Sequence, residues 1–167
     1  MKKLLKKILP VKIHACAYMF RKNVKQDDFC TKYDLRIFNK NSKSGIKKID
    51  AKLNRNSDCY AVFDNNLLVH TSWVFRRKLL ATQLGFDDIY TVGESNTIPT
   101  YQGKGIYTNV LKIISSQKDK DIVIFVSPNN QSSVRGIEKA GFKKLYEFEL
   151  SRFLGLKIGS VKYEGKN

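Results

Sequence analysis

Gln102 to Tyr107, reading Gln-Gly-Lys-Gly-Ile-Tyr, set two residues without side chains just ahead of an apolar-periodic stretch. A loop of this kind that opens a helix can turn several backbone N–H groups toward one anion, with the positive end of the helix behind them. The chemistry on offer is phosphate binding. Paired glycines also make ordinary turns, so the elements on either side decide between the two readings.

Those elements have the right order. Ile89 to Val92 reads as a strand, and Pro99 then restricts the chain before the loop. Ile106, Val110, Leu111, Ile113 and Ile114 recur at the spacing of a helix with one face on a sheet. Asp121 to Val126 is a short, almost wholly apolar run, the pattern of a strand buried on both faces. Strand, glycine loop, helix and buried strand predict a phosphate-binding βαβ unit. A P-loop is excluded, because Ile106 follows Gly105 where a Lys-Ser or Lys-Thr pair is required. A dinucleotide fingerprint fits poorly, since Thr108 stands where the third glycine belongs and no acidic residue ends a strand about 20 residues on.

Two separated blocks resemble the GNAT family of N-acetyltransferases. Thr97 to Ile106 is similar to the family's acetyl-CoA motif, Q/R-x-x-G-x-G/A, with the wording P-x-Y-Q-G-K-G around it. Asn130-Gln-Ser-Ser133, followed by Glu138-Lys-Ala-Gly-Phe142, is similar to the helix that comes next in the family. Together they span roughly a third of the chain. The resemblance implies an α/β (α+β) fold whose central sheet is mixed, mainly antiparallel, flanked by helices and splayed at the cofactor. It implies that the backbone of Gln102, Gly103, Lys104, Gly105, Ile106 and Tyr107 holds the CoA pyrophosphate, with the Lys104 charge at the rim. Thr97 and Ile98 would offer backbone groups to the pantetheine amides, Asn130 would hydrogen-bond the pantetheine arm, and Ser133 would lie beside it. Asn130 also suits a helix cap, with Ser132 and Ser133 in the first turn. Two positions depart from the family: Tyr107 replaces a small residue, and Ile137 stands where many members carry a tyrosine that protonates the leaving thiolate.

The implied reaction is attack of a primary amine on the acetyl-CoA thioester, with the protein supplying alignment and stabilising the oxyanion. An ammonium cannot attack, so a base must take its proton. Glu94 is one candidate, because family members often place a carboxylate on that strand. One residue of register decides which face it takes, and a solvent-facing carboxylate is the alternative. His70, within Leu67 to Val74, is the other: it titrates in the right range, and Thr71, Ser72 and Trp73 stand ready to line an acceptor pocket. A histidine bonded to a backbone carbonyl inside the sheet is the alternative there.

The remaining sequence fits one compact domain over residues 1–167, 42% of them hydrophobic. Residues 1–10 read as a basic surface arm, able to make weak contact with a membrane surface; Lys6 and Lys7 interrupt any signal-like apolar run. Cys16, Cys30 and Cys59 form neither a C-x-x-C pair nor an even set, which predicts buried or free thiols in a reducing cytoplasm. With His14 and His70 the only histidines, no metal site is expected. The formal charge of +16 suits an anionic partner: CoA itself, a nucleotide-linked amino sugar, RNA or anionic lipid. The lysines are scattered instead of forming an aromatic-interleaved strip, so nucleic acid is not the expected partner. A small-molecule amine, such as an amino sugar, is the expected acceptor, handled by a monomer or homodimer. Further elements are predicted as a strand over Ile13 to Phe20, helix or strand over Asp27 to Phe38, and a helix carrying Ile46, Ile49 and Leu53. A hairpin turning at Asp64-Asn65-Asn66 and two terminal strands around Gly155 complete the reading.

Overall fold

The computed structural model describes residues 10–22, 32–153 and 156–163. The strands are β1 (Val11–Phe20), β2 (Asp34–Phe38), β3 (Ser57–Asp64), β4 (Leu67–Phe75), β5 (Tyr90–Thr97), β6 (Ile122–Val126), β7 (Lys143–Phe153) and β8 (Leu156–Tyr163). The helices are α1 (Lys47–Asp50), α2 (Leu79–Gln83), α3 (Ile106–Gln117) and α4 (Gln131–Lys139), with a 3-10 turn over Pro99–Tyr101. All eight strands form one sheet in the order β2-β3-β4-β5-β6-β1-β7-β8. Only β5 and β6 run parallel; every other neighbouring pair is antiparallel. The expected mixed, mainly antiparallel sheet with flanking helices is the observed one.

The N-terminal strand is central. β1 lies between β6 and β7, and Ala15 through Phe20 are all buried. Alternation sorts its side chains: Cys16, Tyr18 and Phe20 join the cluster that holds Ile106, Val110, Leu111 and Ile114 of α3, while Ala15 and Ala17 pack with Leu84, Phe148 and Leu150. One face of β6, Ile122, Ile124 and Val126, shares the layer between sheet and α3, while Phe125 on its other face packs with Ala15, Ala17 and Phe148. At the far end of α3, Asp58 is almost fully buried and accepts from Arg76 (2.9 Å) and Lys118 (3.0 Å), tying β3, the end of β4 and the end of α3 together. Two cations around one buried carboxylate supply the pairing that burial of a charge demands.

The β3–β4 hairpin turns through Asn65 (φ 48°) and Asn66 (φ 66°), closed by the Asp64–Leu67 pair. Left-handed geometry at both central residues is what a two-residue hairpin needs, and asparagine tolerates it. The helix expected from Ile46, Ile49 and Leu53 is one turn only. The Asp50 carboxylate accepts from the N–H groups of Ser44 (2.8 Å) and Gly45 (3.1 Å) ahead of the turn, and after it Asn54 Nδ2 (3.1 Å) and Ser57 Oγ (3.0 Å) donate to the Lys52 carbonyl and end it. Its apolar residues still cover Cys59, Ala61, Phe63 and Trp73. The segment ambiguous between helix and strand is strand over Asp34–Phe38, with residues 27–31 outside the described ones. Residues 1–9 of the expected arm, and Cys30, also lie outside them, whereas Cys16 and Cys59 are buried free thiols. Every residue of β8 is exposed at the outer edge of the sheet. Among the described residues no helix is long and apolar enough to cross a membrane.

Phe148 is fully buried, its ring edge-on to Phe125 and Tyr146. Phe148→Ala should cost about 3–5 kcal/mol of unfolding free energy, read as a lower urea midpoint at unchanged slope.

Candidate functional site

The loop between β5 and α3 is shaped by two left-handed glycines, Gly103 (φ 74°) and Gly105 (φ 76°). A Cβ would meet nothing within 4 Å at Gly103, and only Asn109 Nδ2 at 3.9 Å at Gly105. Backbone conformation, not crowding, therefore demands glycine, and open space lies beside the loop. Gly105 precedes the first turn of α3, whose leading N–H groups have no partner within the helix. Gln102 Nε2 donates to the Thr97 carbonyl (3.1 Å) and pins the loop to the end of β5.

β5 and β6 pair over three positions only, Tyr90–Ile122, Thr91–Val123 and Val92–Ile124. Beyond Val92 the two strands part. A bulge on the other side of β5 accompanies the parting: Thr71 pairs with Asn96 and Trp73 with Gly93, so Ser72 alone faces Glu94 and Ser95. Glu94 takes up the extra residue in a left-handed conformation (φ 51°). A cavity of about 680 Å³ opens here, with the glycine loop, Ser95 to Thr97 on β5, and Asn130 and Ser133 of the next helix among its walls.

No protein-family model and no curated protein sequence matches this chain. Solved structures do. A GNAT-family acetyltransferase from Colwellia psychrerythraea superposes with a TM-score of 0.60 at 12% identity, over 89% of this chain and 59% of that one. A protein from Novosphingobium aromaticivorans assigned to the same family gives 0.60 at 15% identity, over 84% of this chain and 65% of that one. The fold is that of the GNAT acetyltransferases. A Drosophila protein gives 0.56 at 12% identity over 90% of this chain and 54% of that one, so this chain spans between about half and two thirds of the length of the structures it matches.

Within this GNAT fold, the cofactor-loop residues expected from the sequence gather at one cavity, to which Gln102, Gly103, Gly105, Ile106 and Tyr107 contribute. Lys104 instead lays its ammonium over the Tyr101 ring, 4.2 Å from the centroid. Asn130 is a helix cap: its Oδ1 accepts from Ser133 N (3.2 Å) and Ser132 Oγ (3.1 Å), and it lines the cavity as well. At Thr97 and Ile98, the Ile98 N–H donates to Val69 (3.0 Å) and Gln102 occupies one lone pair of the Thr97 carbonyl, while the strand edge released by the splay runs from just past Val92. The Tyr107 ring turns in against Gly136, where a Cβ would sit 3.1 Å from the ring.

The two proton-handling candidates separate. Glu94 is half exposed, does not line the cavity, and is held by Lys52 (3.1 Å) and Lys78 (3.2 Å). Burial alone would raise its carboxyl, but the hydrogen bonds from the two lysines outweigh that and keep it below the usual carboxylate range. His70 lines the cavity and is 1% exposed. It is bonded to hydroxyls, not to a backbone carbonyl: Nδ1 to Thr97 Oγ1 (2.7 Å) and Nε2 to Ser72 Oγ (2.8 Å), with Ser72 Oγ meeting Ser95 Oγ at 2.8 Å. Desolvation pushes the imidazole down to about 4, so at neutral pH it is uncharged, with one nitrogen donating and the other accepting. Of the residues expected to line an acceptor pocket, Thr71, Ser72 and Trp73 do not reach the cavity; Ser72, two residues from His70 on the same strand face, is fully buried behind it. Ser95 is the residue the sequence did not single out; it comes opposite Ser72 only through the bulge.

An unfolded-chain imidazole takes a proton near pH 6.5, whereas the folded one resists until about 4. Between those values the unfolded chain binds the extra proton, so native stability falls as pH drops, by about 3 kcal/mol once below both values. His70→Gln should lack this loss. Urea unfolding of both proteins from pH 7 to 4 should show their stability difference shifting toward the variant by that amount. A pH-independent difference would mean that His70 titrates in the fold as it does in the open chain.

Proposed function

We propose that this protein transfers an acetyl group from acetyl-CoA to a primary amine of a small molecule. The observation that carries the reading is the left-handed Gly103–Gly105 loop, at the head of α3 and beside the point where β5 leaves β6. Backbone N–H groups of the loop and first helical turn would hold the pyrophosphate, while the strand edges that no longer pair would receive the amides of the pantetheine arm. Asn130 and Ser133 would flank the arm from α4. Of the two bases considered, the geometry favours His70, which reaches the cavity through Thr97, over Glu94, which is locked by two lysines. An amino sugar, alone or linked to a nucleotide, is the acceptor we favour, from the wording of the Thr97 to Tyr107 block and the excess positive charge. The cytoplasm, where acetyl-CoA and reduced thiols coexist, is the proposed setting.

Two observations favour other readings. Glu94 in its lysine pair and the apolar Ile137 suit a protein that binds acyl-CoA without turning it over. A second cavity of about 560 Å³, with Arg55, Arg76, Arg77 and Lys120 in its wall, suits a phosphate-rich polymer such as RNA.

Isothermal titration of acetyl-CoA into the protein should give one-to-one binding, weakened when dephospho-CoA replaces CoA if the basic surface reads the 3′-phosphate. Gly105→Asn and Gly105→Asp have side chains of similar size and both residue types tolerate a left-handed backbone, but only aspartate sets a carboxylate against the pyrophosphate. Gly105→Asp should therefore bind at least tenfold more weakly than Gly105→Asn. Equal affinities would remove the loop from the cofactor site, and salt-sensitive RNA binding without CoA affinity would support the second cavity instead.

A further inference from the structure

The second cavity lies at the other end of β5 from the glycine loop. Ile89 and Tyr90, where β5 begins, stand in its wall, whereas Ser95 to Thr97, where β5 ends, stand in the wall of the cleft. Four cations reach it from three separate connections: Arg55 just ahead of β3, Arg76 and Arg77 just after β4, and Lys120 just ahead of β6. Antiparallel pairing of β3 with β4 and of β4 with β5, and parallel pairing of β5 with β6, bring these strand ends to one rim of the sheet.

The four cations are not equivalent. Arg76 is fixed in place: its Nη2 donates to both oxygens of Asp58, at 3.0 and 2.9 Å, and its Nη1 donates to the Arg55 carbonyl at 3.3 Å. Asp58 also takes Lys118, so one nearly buried carboxylate stands against two cations and a positive charge is left over beside the cavity. Lys120 pairs with Asp88, an exposed carboxylate on a left-handed backbone (φ 53°). Arg55 and Arg77 have no carboxylate partner among the described residues. Cations gathered around a concave wall concentrate a positive potential there, and a guanidinium presents its N–H groups in a fork that matches two phosphate oxygens.

We infer that this cavity is a second anion site, distinct from the cleft, and that it takes a compact diphosphate, free or carried by a nucleotide. Arg55 and Arg77 supply the unpaired forks, and Arg76 adds a charge whose position Asp58 fixes. Asp88 is the built-in competitor, because its carboxylate holds Lys120 until an anion takes its place. The surroundings favour a compact anion over a polymer. Asp88 stands in the wall, Asp119 accepts from the Tyr90 hydroxyl (3.1 Å), and Asp121 accepts from Arg21 (2.6 Å) and the Lys22 N–H (2.9 Å) on the β6 side. A phosphate backbone leaving the cavity on that side meets carboxylates, whereas a diphosphate ends inside it. The two cavities share no residue, so this inference stands or falls independently of acetyl transfer.

The test is calorimetric titration of pyrophosphate, and separately of ADP, into the full chain, with the same additions followed by NMR amide shifts to locate the site. Saturating shifts at Arg77, Ile89 and Tyr90 are expected. Arg77→Gln removes one unpaired charge and should weaken binding about tenfold, the order of magnitude of one charge-assisted contact. Asp88→Asn removes the competing carboxylate while suiting the left-handed backbone, and should tighten binding severalfold. Opposite signs from two exposed positions cannot come from a folding defect. Gly105→Asp, which alters the other cavity, should leave these shifts unchanged. Equal affinity for the two probes assigns the site to the diphosphate itself, and tighter ADP with the same amides moving assigns it to a nucleotide. Shifts confined to the glycine loop, or none that saturate at millimolar pyrophosphate, would overturn the inference. So would binding that ignores both substitutions. A short RNA oligonucleotide that moves the same amides and binds more tightly than pyrophosphate would give the cavity to a polymer and overturn the compact anion.

Discussion

The separation of β5 from β6 after three paired residues governs the rest of this molecule. A parallel pair in the middle of an eight-stranded sheet would ordinarily run on until both strands ended, because a buried backbone N–H or carbonyl without a partner costs on the order of 1–3 kcal/mol. Here the two strands stop pairing while β5 still has five residues to go, Gly93 through Thr97. Those strand edges have to meet water, a side chain or a ligand. The opening is consistent with a site for an extended molecule carrying amides of its own, because such a molecule can repair the interrupted ladder.

The parting is coupled to strain on the opposite side of β5. The bulge against β4 forces Glu94 into a left-handed backbone, unusual for a residue with a long side chain and costing about 1–2 kcal/mol. Two lysines from different segments converge on that carboxylate, and the same bulge sets Ser95 against Ser72. One local irregularity beside the cleft thus keeps Glu94 out of it and sets Ser95 against the Ser72–His70 pair. The price in backbone energy is carried by a sheet whose interior strand β1 is buried from Ala15 through Phe20.

Much of the site was legible because its signals are local. A left-handed turn ahead of a helix needs glycine, so Gly103 and Gly105 mark the loop in the letters themselves, and the periodicity of Ile106, Val110, Leu111 and Ile114 marks the helix behind it. The Asn65-Asn66 turn and the cap at Asn130 belong to the same class, each a matter of a few neighbouring residues. What failed was equally physical. The helix expected from Ile46, Ile49 and Leu53 closes after one turn, because Lys52 and Leu53 N–H groups take carbonyls three residues back and Asn54 Nδ2 and Ser57 Oγ occupy the Lys52 carbonyl.

By itself, then, the sequence determined the left-handed glycine loop, the helix packed behind it and the buried strand that follows, because each depends on φ preference or on apolar spacing within a dozen residues. Only the tertiary structure decided which acid-base group faces the cleft. A bulge shifts register by one residue, and one residue moves a strand side chain from one face to the other, so Glu94 and Ser95 could not be told apart by pattern. The insertion of β1 between β6 and β7, the inward turn of the Tyr107 ring against Gly136, and the meeting of His70 and Ser72 with Thr97 and Ser95 of the next strand all join residues far apart in the chain. No spacing rule reaches that far, because contacts of that kind are set by which strands become neighbours and not by which residues follow one another.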